Sequence, residues 1–133
     1  MKKLPLVAAA VMVAMALVGC QSKEVESSGG KSASLRVMEQ VAIAAHKCWF
    51  ASKDPAFKPY RMANELNSFS GQPRFLLVPA NNYGGKPLLV VQAQGNSSRV
   101  EVFGPLMGVP LGARIGTDVN RWMNGDDVCG GTA

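Results

Sequence analysis

Leu88-Leu89-Val90-Val91-Gln92-Ala93-Gln94 carries the clearest pattern in the chain. Leu89, Val91 and Ala93 alternate with Leu88, Val90, Gln92 and Gln94, and a period of two sends successive side chains to opposite faces of a strand. One set is wholly apolar and the other mixed, as in an antiparallel sheet packed on one face and partly wet on the other. On either side, Arg74 to Val78 and Arg99 to Phe103 are short aliphatic, β-branched and aromatic runs bounded by turn signals. The connections Asn81-Asn82-Tyr83-Gly84-Gly85 and Gly95-Asn96-Ser97-Ser98 hold the residues that hairpin turns favour. Tyr60 to Leu66 fits an edge strand or a short helix, and a strand is the expectation; Ser68-Phe69-Ser70-Gly71-Gln72-Pro73 then breaks it. The middle of the chain thus predicts a meander of three to four antiparallel strands.

Helical periodicity appears on both sides of this meander. From Ser34, a suitable N-cap, to about Phe50, Leu35, Met38, Ala42, Ala45 and Trp49 recur at three- and four-residue steps and mark one apolar stripe. Lys53-Asp54-Pro55-Ala56-Phe57-Lys58-Pro59 cannot continue that helix, since each proline removes a donor and restricts its predecessor. A second helix is expected from Leu111 or Thr117 to Asn124. Ile115, Val119, Trp122 and Met123 form its apolar side, Thr117-Asp118 offers a cap, and Gly125 stands where a glycine ends a helix. Two helices on one face of an antiparallel sheet make an α+β sandwich, with Trp49 and Trp122 packing between the layers.

Gly104-Pro105-Leu106-Met107-Gly108-Val109-Pro110-Leu111-Gly112 is apolar and uncharged, and glycines recur at 104, 108, 112 and 116. That spacing echoes small-residue packing between membrane helices, but two prolines with Glu101 and Arg114 close by exclude a spanning helix. Two readings stand: a buried connection across the end of the sheet, or an exposed loop that docks Leu106, Met107 and Val109 on a partner or on lipid headgroups.

At the start of the chain, Lys2 and Lys3 precede an apolar run of 15 residues, Leu4 to Val18. This is the layout of a secretory signal and is shorter than the ~20 residues a spanning helix needs. It ends in Leu17-Val18-Gly19-Cys20, which resembles the lipobox of bacterial lipoproteins. The resemblance implies a diacylglycerol thioether on Cys20, cleavage before it and acylation of the new amine. Small Gly19 leaves the scissile bond accessible, and the thiol is the strong nucleophile that takes up the lipid. An ordinary signal peptide would use Ala14-Met15-Ala16, but that site lies inside the apolar run. Gln21 follows the cysteine, where an Asp retains many enterobacterial lipoproteins in the inner membrane; the resemblance therefore implies the periplasmic face of the outer membrane. Residues 1–19 are then a signal peptide, 20–33 the lipidated cysteine and a tether, and 34–133 a single domain. From Gln21 to Ala33 too little is apolar to offset the cost of ordering the backbone, and the extended reach is about 45 Å at ~3.5 Å per residue.

With Cys20 lipidated, Cys48 and Cys129 remain as one pair in an oxidising compartment, closing a loop of 82 residues. A disulfide is expected. The alternative, a metal held by His46, Cys48 and Cys129 with Asp127, lacks a second close ligand pair, and neither a metal nor another cofactor is expected. Without Lys2 and Lys3, twelve basic residues face nine acidic ones and the formal charge falls from +5 to +3. That is enough to attract anionic lipid or polymer and too little for a nucleic-acid footprint.

No catalytic set emerges. The single histidine, His46, has no evident nucleophile or orienting acid, and Asp126-Asp127 has no opposed carboxylate for glycosidase work. Gly84-Gly85-Lys86 lacks the P-loop spacing. Lys47, Lys53, Lys58 and Arg61 cluster in sequence, and Lys53, Lys58 and Arg61 are the candidate rim for an anionic ligand. The leading expectation is a non-enzymatic envelope lipoprotein, accessory or structural, that acts through protein contacts. The alternative is a binding module for an anionic envelope glycan or lipid headgroup.

Overall fold

A computed structural model describes residues 30–67 and 71–130. Cys20, the expected signal segment and most of the expected tether lie outside the described residues. The elements are helix α1 (Ala33–Ala45), strands β1 (Tyr60–Glu65), β2 (Arg74–Pro79), β3 (Leu89–Gln92) and β4 (Glu101–Phe103), and helix α2 (Leu111–Met123). The strands form an antiparallel meander in the order β1-β2-β3-β4, and the helices pack on it. This is the expected α+β sandwich, with residues 60–65 as strand. β3 and β4 are shorter than their expected runs, β3 stopping at Gln92 and β4 starting at Glu101, because Ala93 to Val100 turn the hairpin, while β2 extends one residue further, to Pro79.

The register explains the two faces. Asn64, Phe75, Val91 and Val102 lie opposite one another across the sheet, as do Met62, Leu77 and Leu89. Phe75, Leu77, Leu89 and Val91 are fully buried under the helices, so the alternation in residues 88–94 is read correctly from the sequence. The opposite face carries a row of Ala63, Leu76, Val90 and Phe103, with Phe103 47% exposed. Beside it runs a polar row in which Arg74 Nε donates to Glu65 at 2.6 Å and Gln92 pairs with Glu101 at 3.3 Å. No helix covers this face among the described residues.

The first helix begins earlier than expected. Ser32, not Ser34, is the cap: its Oγ accepts from the amide of Leu35 at 3.1 Å. Ser34, the second residue of the helix, is buried, and its hydroxyl donates to the carbonyl of Gly95, tying the helix start to the β3–β4 turn. Both serines have the short hydroxyl a cap needs, and the tertiary contact selects between them. Met38, Ala42, Ala45 and Trp49 of the predicted stripe are buried, joined by Val37, Val41 and Ala44, while Leu35 is only partly covered.

The helix does not stay α-helical to Phe50. From His46 to Ala51 it widens into a π-helical turn, in which the amide of Ser52 reaches the carbonyl of Lys47, five residues back. This turn buries the adjacent Cys48 and Trp49 together. Trp49 lies at the centre of the aromatic core, 4.6 Å from Phe57 in a near-parallel stack, 5.1 Å from Trp122 and 6.4 Å from Phe75. Cys48 is bonded to Cys129, as expected, with Cα atoms 5.1 Å apart. The disulfide occupies both sulfur atoms that the alternative metal set would have used.

Helix α2 starts at Leu111, so Thr117 and Asp118 are interior residues and not a cap. Thr117 Oγ1 donates back to the carbonyl of Ala113, and Asp118 is buried. The C-terminal end follows the glycine rule: Gly125 has φ of 95°, its amide bonds to Trp122 and that of Asp126 to Arg121. These are the paired hydrogen bonds of a Schellman ending. The chain then runs back along the helix, where the carbonyl of Val128 accepts from Arg121 Nε and Trp122 Nε1. Lys47 holds the same segment from the other side through the carbonyl of Asp127.

Two of the four regularly spaced glycines have a steric reason. A Cβ at Gly104, whose φ is 127°, would stand 2.6 Å from the carbonyl oxygen of Leu88. One at Gly112 would stand 2.6 Å from the carbonyl oxygen of Met107 and 2.8 Å from that of Leu106. The glycines let the 3₁₀ turn Pro105–Gly108 lie against the sheet on one side and the start of α2 on the other. Gly108 and Gly116 meet no such obstruction.

Candidate functional site

Three features stand out from the fold: a groove on α2, a cavity lined by aromatic rings, and a buried ion network that joins their supports.

The groove is built by the apolar segment and α2. The two readings of residues 104–112 are divided between neighbouring residues. Leu106 turns into the core, 5% exposed, and its amide bonds to the carbonyl of Leu88 at 3.0 Å. Val109 is 47% exposed, and Met107 is half-buried between them. Met107, Val109 and Pro110 face Gly112, Gly116 and Asn120 across an open groove of about 670 Å³. Of the three residues expected on a docking loop, Met107 and Val109 line this groove and Leu106 anchors it. Sequence reading missed that Gly116 forms its floor; the four-residue glycine spacing was the available signal.

The cavity lies at the end of the π-helical turn. Its volume is about 520 Å³, and Trp49, Phe50, Phe57 and Tyr60 line it with Pro55. Lys53 and Lys58 of the predicted basic rim lie on the same cavity. Arg61 does not: its guanidinium lies 5.0 Å from the ring centroid of Tyr83, on the β2–β3 connection. Adjacent strand residues point to opposite faces, so Tyr60 and Arg61 separate. Lys47 is also elsewhere, beside Asp127. The aromatic walls escaped sequence reading because Phe50 was assigned to a helix end and Tyr60 to a strand.

Asp54, between the two lysines, is neutralised from within. Its Oδ1 accepts from the amide of Ala56 and caps the 3₁₀ turn Pro55–Phe57, while Oδ2 accepts from Arg114 at 2.5 Å. The Arg114 guanidinium holds the Asp54 carboxyl below its usual range, and Asp54 raises Arg114 in return. Arg114 Nε is also 3.6 Å from Asp118, which is 3% exposed. Asp118 accepts from Trp49 Nε1 at 2.8 Å and from Arg121 at 2.6 Å. Two acids and two arginines thus hold the π-helical turn, the proline turn and α2 together.

A pH dependence follows. A carboxyl whose folded pKa is depressed stabilises the fold above its unfolded value, near 3.9, and that contribution is lost as pH falls through the folded value. Acid unfolding should therefore steepen below about pH 4, and Asp54→Asn should flatten that limb while lowering stability at pH 7. Urea midpoints measured from pH 2 to 7 check this; parallel curves for the two proteins would contradict it.

Among the described residues no helix is long and apolar enough to cross a membrane, and no cluster of three metal-ligating side chains occurs. No protein-family model, characterised protein or solved structure matches the chain.

Proposed function

We propose that this protein is a lipid-anchored, non-enzymatic component of the bacterial envelope, which acts by binding a protein partner in the groove between Met107, Val109 and Gly116. Cys20 carries the lipid, and the periplasmic face of the outer membrane is the proposed location. The lipobox-like sequence supports the anchor, and mass spectrometry of the mature N-terminal peptide tests it: acylated Cys20 is expected, an unmodified thiol contradicts it.

The observation that carries the partner reading is the exposure of Val109 on a segment that Leu106 and the close approach at Gly112 fix to the core. An apolar surface held in place has little conformational entropy to lose on binding. Gly116 offers a clean test, since a Cβ there would sit 3.7 Å from Met107 Cε, in ordinary contact. Gly116→Trp should fill the groove without unfolding the helix, and a tenfold or greater loss of the co-purifying partner, with the thermal midpoint retained, is the expected result. Undiminished co-purification would contradict the groove as the binding surface.

A second reading, binding of an anionic envelope ligand, is favoured by one specific observation: Lys53 and Lys58 lie on the same ring-lined cavity.

A further inference from the structure

We infer that the cavity at the π-helical turn binds a ring-bodied organic anion: a ring that presents an apolar face, aromatic or pyranose, and carries a carboxylate or a phosphate. The inference rests on the second reading above and adds the body of the ligand to its charge. Three independent features lead to it.

The first is the wall chemistry. Trp49 and Phe57 stack at 4.6 Å with their planes 10° apart, and Phe50 meets Phe57 edge-on at 6.0 Å. Phe50 and Tyr60 remain partly exposed, so ring surface is open to a ligand. Aromatic walls favour a body that presents a flat face or an edge. The volume, about 520 Å³, lies within the range of small-molecule sites.

The second is charge. Lys53 and Lys58 are exposed, and neither has an ion-pair partner among the described residues. The acid between them, Asp54, is engaged by Arg114. The cavity therefore presents two uncompensated positive charges beside an apolar interior, which suits an amphipathic anion and disfavours a neutral or cationic one.

The third is backbone geometry. Lys53 has φ of 58° and is the one non-glycine residue with positive φ among the described residues. A left-handed conformation is costly for a lysine, and such residues cluster at functional sites. The π-helical turn that precedes it is itself a feature concentrated at such sites. Together they bring Phe50, Lys53 and Phe57 to one cavity.

Two sources supply this chemistry, an acidic sugar of the cell-wall glycan and a free aryl acid. The test is NMR titration of the full 15N-labelled protein in nonionic detergent at low salt. The probes are N-acetylmuramic acid, phenyl phosphate, neutral N-acetylglucosamine and inorganic phosphate. At least one ring acid should shift the amides of residues 49–60 and bind about tenfold or more tighter than both N-acetylglucosamine and inorganic phosphate; the tighter of the two acids identifies the source. The double variant Lys53→Gln/Lys58→Gln should weaken that acid about tenfold or more with its spectrum otherwise retained. Inorganic phosphate binding as tightly as the ring acids would overturn the ring-bodied ligand and leave the anionic reading standing. Equal binding of N-acetylglucosamine, or no shift with any probe, would overturn both.

Discussion

Asp118→Ala is expected to destabilise the protein by about 3–5 kcal/mol, the loss that follows when one partner of a buried ion pair is removed. The carboxylate is 3% exposed, accepts hydrogen bonds from two donors on two elements, Trp49 Nε1 and Arg121, and lies 3.6 Å from Arg114 Nε in an ion pair without a hydrogen bond. Without it the indole N–H is left in the aromatic core with no acceptor, and the two guanidinium groups lose their shared counter-ion. Asp118→Asn keeps an oxygen for Trp49 but turns an amide or a neutral oxygen toward the arginines, so its loss should be smaller. Urea unfolding of the three proteins checks this order. A change below about 1 kcal/mol for Asp118→Ala would mean that the network is solvated and adds no more than a surface pair.

The double variant Cys48→Ser/Cys129→Ser should lose a comparable amount. The bond joins residues 81 apart, and the chain-entropy relation gives about 4.5 kcal/mol for a loop of this length. Native Cys48 is buried against the core and Cys129 is partly covered, so the serine hydroxyls add a desolvation cost to the lost cross-link. The consequence should be local as well as global. The segment Asp126–Gly130 is held by the disulfide, by the Val128 carbonyl and by Lys47. Hydrogen exchange in residues 126–130 should accelerate on reduction even where α2 stays protected. A midpoint that does not change on reduction would contradict the assignment of the disulfide as a main staple of the fold.

The fold was legible where local pattern and tertiary packing coincide. Alternation in residues 88–94 predicts the inward face of β3, and the three- and four-residue steps through Met38, Ala42 and Ala45 predict the buried face of α1. The expectation that Cys20 is lipidated left Cys48 and Cys129 as the one pair, and the structure joins them. Element ends were less legible, because they depend on contacts between residues far apart in sequence. Ser32 and Ser34 have equal capping chemistry, and the bond from Ser34 to Gly95, 61 residues away, leaves the cap to Ser32. Thr117-Asp118 has the composition of a cap, but Asp118 is drawn into the helix interior by Trp49, 69 residues away.

The candidate sites show the same division. Leu106, Met107 and Val109 stood out by composition, but which of them is buried depends on the amide bond of Leu106 to Leu88 and on the bare approach of Gly112 to Met107. Lys53, Lys58 and Arg61 looked equivalent as neighbouring cations. A cavity between the π-helical turn and β1 gathers the first two, and the strand pleat takes the third away. The π-helical turn has no composition signature in His46-Lys47-Cys48-Trp49-Phe50-Ala51, so neither the cavity nor its aromatic walls could be read before the chain was folded.

The partner reading is tested most directly by site-specific photo-crosslinking in intact envelopes from position 109, with matched probes at Asn96, on the β3–β4 turn, and at Lys58. A discrete protein adduct from 109, absent from 96 and abolished by Gly116→Trp, is the expected result. No protein adduct from 109, or the same adducts from 96, would contradict the groove as a partner surface; glycan or lipid adducts from 58 alone would give first place to the anionic ligand.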